Sequence, residues 1–128
     1  ARLAEAFPDT TFVLQHAGML EDLSDEGRAA WRDGMALLAA SPNVVSKLSG
    51  LGTFIHRNDP DHIARIVGDT VALFGADRCL FGSNFPIEKL WTGYPALLAA
   101  YRAALARYSA ADQAAMLAGV ARRVYRID

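Results

Sequence analysis

Cysteine is nearly missing from these 128 residues, with Cys79 standing alone. That excludes an intrachain disulfide framework and any CxxC-type zinc or redox site, and it directs the expectation to a reducing, cytoplasmic setting. Lysine is almost as scarce, with only Lys47 and Lys89. The formal net charge of -1 provides neither a basic field for nucleic acid nor an acidic tail, so no nucleic-acid partner is expected. No apolar run approaches the roughly 20 residues that cross a bilayer, and the N-terminus lacks the basic, apolar and small-residue succession of a signal peptide. A soluble protein without a membrane partner is expected. Low-complexity stretches and long linkers are also lacking.

What is present is globular: 52% hydrophobic and 21% charged residues, in a length that suits one domain over 1–128. Three segments read as short buried strands: Thr11–His16 (TFVLQH), Val44–Ser49 (VVSKLS) and Arg78–Gly82 (RCLFG). Helical patterns lie between them. Ser24 is placed to cap a helix running to about Ala40, with Trp31, Met35 and Leu38 on one stripe. Asp59 and Pro60 form a second start, after which Ile63, Ile66, Val67, Val71 and Phe74 share a face and Gly75 is expected to end the helix in a left-handed conformation. A third helix is expected from Thr92, with Leu97, Leu98, Tyr101 and Leu105 inward, and a last one from the Ser109-Ala-Ala-Asp112 capping sequence. Ala1 to Phe7 reads as the end of a helix, and an upstream portion is expected.

Strands alternating with helices imply parallel pairing by right-handed crossovers, hence an α/β fold. A three-stranded parallel sheet leaves two unpaired edges. Further strands from upstream, or self-association into a homo-oligomer, are expected to cover them. Ligands of such folds lie at the C-terminal ends of the strands, where loops converge and helix N-termini point outward. Here the strands end in Gln15-His16-Ala17-Gly18, in Lys47-Leu48-Ser49-Gly50-Leu51-Gly52 and in Phe81-Gly82-Ser83-Asn84-Phe85-Pro86.

His16 can bind a metal, polarise a carbonyl or move a proton near neutral pH; the alternative is a histidine hydrogen-bonded into a loop. His56 follows the second strand on the same side, whereas His62 reads as a surface residue. Lys47 interrupts an apolar strand, so it is expected to meet a carboxylate or an anionic substrate. Ser49 to Gly52 can offer backbone N–H groups to an anion without matching a Walker or dinucleotide fingerprint. Cys79 reads as a small core residue.

The succession FPDTTFVLQHAG, NVVSKLSGLG, DRCLFGSNFPIEKLW and VARRVYRID resembles the C-terminal region of the amidohydrolase-2 group of TIM-barrel hydrolases, which includes sugar-lactone and pyrone-dicarboxylate lactonases and related metal-dependent decarboxylases. The resemblance implies that these are the last three βα units, plus a terminal helix, of a (β/α)₈ barrel. It implies that His16 either ligates a divalent metal such as zinc or, in a metal-independent enzyme, polarises the substrate carbonyl. The group's last strand usually ends in an aspartate that activates water or binds metal; Asn84 stands there, and an amide cannot serve as a general base. The implied hydrolase acts on a small-molecule lactone or other cyclic ester, with His16 and Asn84 at the reacting centre and Lys47, Ser49, Ser83 and His56 toward the substrate. Glu88 is either a replacement carboxylate or a solvated loop charge, the latter being the expectation. A metal-dependent decarboxylase, a noncatalytic barrel remnant that recruits a partner and a small anion-binding domain remain as alternatives.

Overall fold

Local sequence starts and stops each element. The computed structural model describes residues 1–127; Asp128, the last residue of VARRVYRID, lies outside them. Helix α1 (Arg2–Ala6) leads to strand β1 (Phe12–Leu14), followed by α2 (Asp25–Ala39), β2 (Val44–Leu48), α3 (Pro60–Phe74), β3 (Cys79–Phe81) and α4 (Tyr94–Leu105). Helices α5 (Ala110–Ala114) and α6 (Val120–Tyr125) close the chain, joined through a π-helical turn over Ala115–Gly119. The strands form one parallel sheet in the order β1-β2-β3, with Phe12 opposite Val44 and Leu48 opposite Phe81.

The caps work as their residue types require. Ser24 Oγ accepts a hydrogen bond from Gly27 N–H at 3.0 Å, a contact worth about 1 kcal/mol to a helix start. Asp59 Oδ1 accepts from His62 N–H at 3.0 Å, and Pro60 occupies the first helical position, where its missing N–H removes no hydrogen bond. Gly75 does have positive φ, but its ψ of 156° is not left-handed helical. The chain runs extended there, directly into the short 3₁₀ turn Ala76–Arg78 that feeds β3. The third helix begins at Tyr94 rather than Thr92, because Ile87–Leu90 forms its own 3₁₀ turn and Pro95 fits only in a first turn.

Alternation along β2 divides the interior in two. Val44 and Leu48 join the main core with Met35, Ile63, Ile66, Val67, Leu97 and Leu105, contributed by α2, α3 and α4. Each such side chain, when fully buried, stabilises the fold by about 1.5–3 kcal/mol. Val45 and Leu80 face the other way and pack with Val13, Val120 and Val124, so the C-terminal helices cover part of the second face. Asn43 ties the beginning of the chain to this sheet: its Nδ2 donates to the carbonyls of Ala4, Phe7 and Thr10 at 2.9–3.0 Å. Among the described residues β1 and β3 each keep one unpaired edge, and no helix is long and apolar enough to cross a membrane.

Candidate functional site

The first strand is shorter than its hydrophobic run suggests. It stops at Leu14 because His16 and Ala17 adopt positive φ, 54° and 45°, and the chain coils into a tight turn. Trp31 Nε1 anchors that turn by donating to the Ala17 carbonyl at 2.8 Å. The result takes His16 out of the ladder and sets its Nδ1 2.9 Å from Ser49 Oγ, at the end of β2. Ser49 is only 1% exposed, so its hydroxyl is committed to holding the imidazole. With Nδ1 carrying the proton, Nε2 presents a lone pair; with Nδ1 accepting from Ser49, Nε2–H is a donor able to polarise a carbonyl.

Asn84 comes from the end of β3, where its φ of 54° is a conformation asparagine tolerates better than most residues. Gly50 shows how the two strand ends meet. A Cβ placed on it would lie 2.7 Å from His16 Nδ1 and 3.1 Å from Asn84 Nδ2. Imidazole and carboxamide therefore converge over one glycine.

Lys47 is half-buried, and its Nζ lies over the Tyr125 ring at 5.7 Å from the centroid. The expected carboxylate partner is not found: no ion pair of Lys47 occurs among the described residues. The aromatic face supplies a weaker electrostatic contact instead. Ser83 Oγ accepts from Phe85 N–H at 3.3 Å and so serves its own turn. His56 is exposed, with its ring 5.5 Å from that of Trp91. His62 is not a free surface residue but half-buried in a crevice that His16, Gly50 and Phe54 also line. Burial, reinforced by the Arg28 charge, holds its pKa below the ordinary value.

Glu88 corrects the sequence expectation most sharply. Rather than a solvated charge it is 1% exposed. Trp91 Nε1 donates to its Oε2 at 2.6 Å, while Asn84 Nδ2 and Thr53 Oγ1 donate to Oε1, each at 3.4 Å. Nearby Tyr101 is 1% exposed, and burial, then the Glu88 charge, push its hydroxyl pKa far up. Thr53 and Trp91 escape the sequence reading as site residues, although a Trp three residues after a Glu in a short loop is a signal for part of this network. Cys79 is a core residue as read: burial pushes its thiol up to about 12.

The anion-loop alternative does not survive the packing. Gly50 and Gly52 are buried, and a Cβ on Gly52 would sit 3.1 Å from Glu88 Oε2 and 3.0 Å from Trp91 Nε1. A loop pressed against a carboxylate repels an anion instead of cradling it. Metal binding meets a different limit. Among the described residues no group of three or more His, Cys, Asp and Glu side chains could hold a metal ion. His16 offers a single nitrogen, Nε2, and one ligand does not make a site.

Comparison with known proteins supplies the wider frame. The amidohydrolase family profile matches residues 1–127. An uncharacterized Sinorhizobium fredii protein, y4mH, is 36% identical over 125 residues, covering 98% of this chain and 42% of that protein. An L-fucono-1,5-lactonase of Burkholderia multivorans is 36% identical over 126 residues, covering 90% of this chain and 43% of the lactonase. A zinc-bound amidohydrolase crystal structure from Burkholderia multivorans superposes with a TM-score of 0.91 at 30% identity, over 99% of this chain and 48% of that one. The chain thus spans less than half the length of these relatives.

Proposed function

This chain belongs to the amidohydrolase family, and from that premise we propose that it forms the C-terminal part of a longer (β/α)₈ barrel, a single domain whose mouth adds water to the carbonyl of a lactone or related cyclic ester. The observation that carries this reading is the convergence of His16 and Asn84 over Gly50. Two polar groups of complementary chemistry meet beside one glycine at the ends of parallel strands, where such folds hold their ligands. The named lactonase among the relatives directs the choice of substrate class toward sugar lactones.

In this reading water attacks the carbonyl carbon and its proton passes to His16 Nε2, whose ring Ser49 holds from the other nitrogen. The ring C–O bond then breaks, the departing alkoxide takes the proton, and an open hydroxy acid results. Asn84 cannot be the base, so it orients the water or a substrate hydroxyl by hydrogen bonding. Lys47, which makes no ion pair among the described residues, holds a polar or anionic part of the substrate, and His56 on Trp91 forms the rim. Zinc is bound in the Burkholderia crystal structure; here His16 would bring one ligand, and a metal in the complete protein would take its remaining ligands from elsewhere.

The test is turnover of a sugar-lactone panel by the complete gene product, with and without chelator. Hydrolysis abolished by chelator marks a metal-dependent enzyme, and hydrolysis that persists marks a metal-independent one. No hydrolysis in either condition counts against the reading. A second reading, assembly through the sheet, draws on the unpaired edges of β1 and β3. Size-exclusion chromatography of residues 1–128 separates it, because a stable monomer argues against edge-mediated association.

A further inference from the structure

A carboxylate almost fully removed from water needs strong partners. Glu88 has no ion pair among the described residues. Three neutral groups serve it instead: the Trp91 indole at 2.6 Å on one oxygen, and the Asn84 amide and Thr53 hydroxyl, both at 3.4 Å, on the other. An ionised carboxylate only accepts hydrogen bonds, so each neighbour must turn a donor toward it. Trp91 has no choice in this, being a donor only. Asn84 does have a choice, because its carboxamide carries an NH₂ on one side and an oxygen on the other.

We propose that Glu88 is a positioning residue that fixes the Asn84 carboxamide with its NH₂ inward, leaving Oδ1 as the acceptor available to a bound molecule, and that this buried charge makes an amide, not a second carboxylate, the group compatible with position 84. Thr53 closes the arrangement by accepting from Asn84 Nδ2 at 3.5 Å while donating to Glu88. No hydrogen bond within the described residues engages Asn84 Oδ1. The ligand recognised at this point therefore offers a hydrogen-bond donor, as the hydroxyl of a polyol lactone or a water molecule does. The inference rests on reading Asn84 as a site residue, but its central element, the Asn84–Glu88 coupling, can be measured without turnover.

The experiment is a double-mutant cycle on the complete gene product, read as melting temperature at pH 7.5. Asn84→Asp sets a second carboxylate in hydrogen-bond contact with the buried Glu88, where like charges repel. A loss of about 5 °C or more is expected, or loss of folded protein altogether. Adding Glu88→Gln replaces one charge by an isosteric amide that can donate to the new carboxylate. The double variant is expected to recover at least half of the loss, or to restore folded protein. Lost shape alone would make the second substitution neutral or harmful, so this recovery is specific to charge. An Asn84→Asp variant as stable as the parent, or a double variant no more stable than Asn84→Asp, overturns the proposal. A second measurement follows turnover: Glu88→Gln alone frees the Asn84 amide to rotate and should lower kcat/KM on a lactone substrate at least about 10-fold, since misplacement of a positioned group costs on that order. If the parent hydrolyses no lactone while the stability coupling holds, the lactonase reading fails and the positioning of Asn84 stands.

Discussion

Gly50→Ala perturbs the one point where the two strand ends meet. The residue has φ of 62°, and an added methyl would lie 2.7 Å from His16 Nδ1 and 3.1 Å from both His16 Cγ and Asn84 Nδ2. A side chain in the left-handed region costs about 1–2 kcal/mol by itself. The methyl also forces the imidazole outward by several tenths of an ångström, and the ring cannot swing freely because Ser49 holds it at 2.9 Å. Stretching that bond leaves the buried Ser49 hydroxyl without a partner, a further cost of about 1–3 kcal/mol. The expected sum is about 2–5 kcal/mol, or at least about 5 °C in melting temperature. Turnover should fall more steeply, on the order of 100-fold, because a misplacement approaching 1 Å at a reacting group has effects of that size. The assay pairs calorimetry with kcat/KM on a lactone substrate, in the complete gene product. Gly34→Ala is the matched control: this glycine lies in α2 with nothing within 4 Å of its Cβ position, and the substitution should stabilise by about 0.5–1 kcal/mol. A Gly50→Ala protein that melts with the parent and turns over within twofold of it would refute the convergence of His16 and Asn84.

Other outcomes follow from the same structure. The Cys79 thiol, pushed up to about 12 by burial, should resist a disulfide reagent at pH 8 in the native protein and react fully once unfolded; rapid native labelling would contradict its burial. His62 has a folded pKa below its ordinary 6.5, so the unfolded chain binds the proton more readily. The neutral form's advantage is present above pH 6.5 and lost as pH falls through the folded value, and His62→Gln should flatten that part of a melting-temperature profile. Asn43→Ala removes the amide that donates to the carbonyls of Ala4, Phe7 and Thr10. It should cost about 1–3 kcal/mol in chemical denaturation and speed amide exchange in α1.

Much of the architecture is legible without coordinates because it depends on neighbours in the chain. The apolar runs around Phe12, Val44 and Cys79 mark the strands, and the cap residues Ser24, Asp59 and Ser109 mark three helix starts within a residue. The boundaries that moved did so for backbone reasons. β1 ended early where His16 and Ala17 took positive φ, and α4 began late because of the turn before Pro95. The candidate site was half legible: His16 and Asn84 follow strand ends, where parallel sheets hold their ligands.

What the chain determined by itself is the order of strands and helices, the parallel pairing and the candidate groups at the strand ends, since periodicity, caps and turn residues act over a few positions. Tertiary structure alone decided the partners. It gave the Ser49 hydroxyl to His16, set Lys47 over Tyr125 instead of a carboxylate, and drew Glu88 inward beneath Asn84. Those outcomes depend on contacts between residues as far as 78 positions apart, Lys47 to Tyr125. Whether a charge at such a place is solvated or buried follows from which donors the fold brings to it; local pattern offers Asn84 and Trp91, and only the fold adds Thr53.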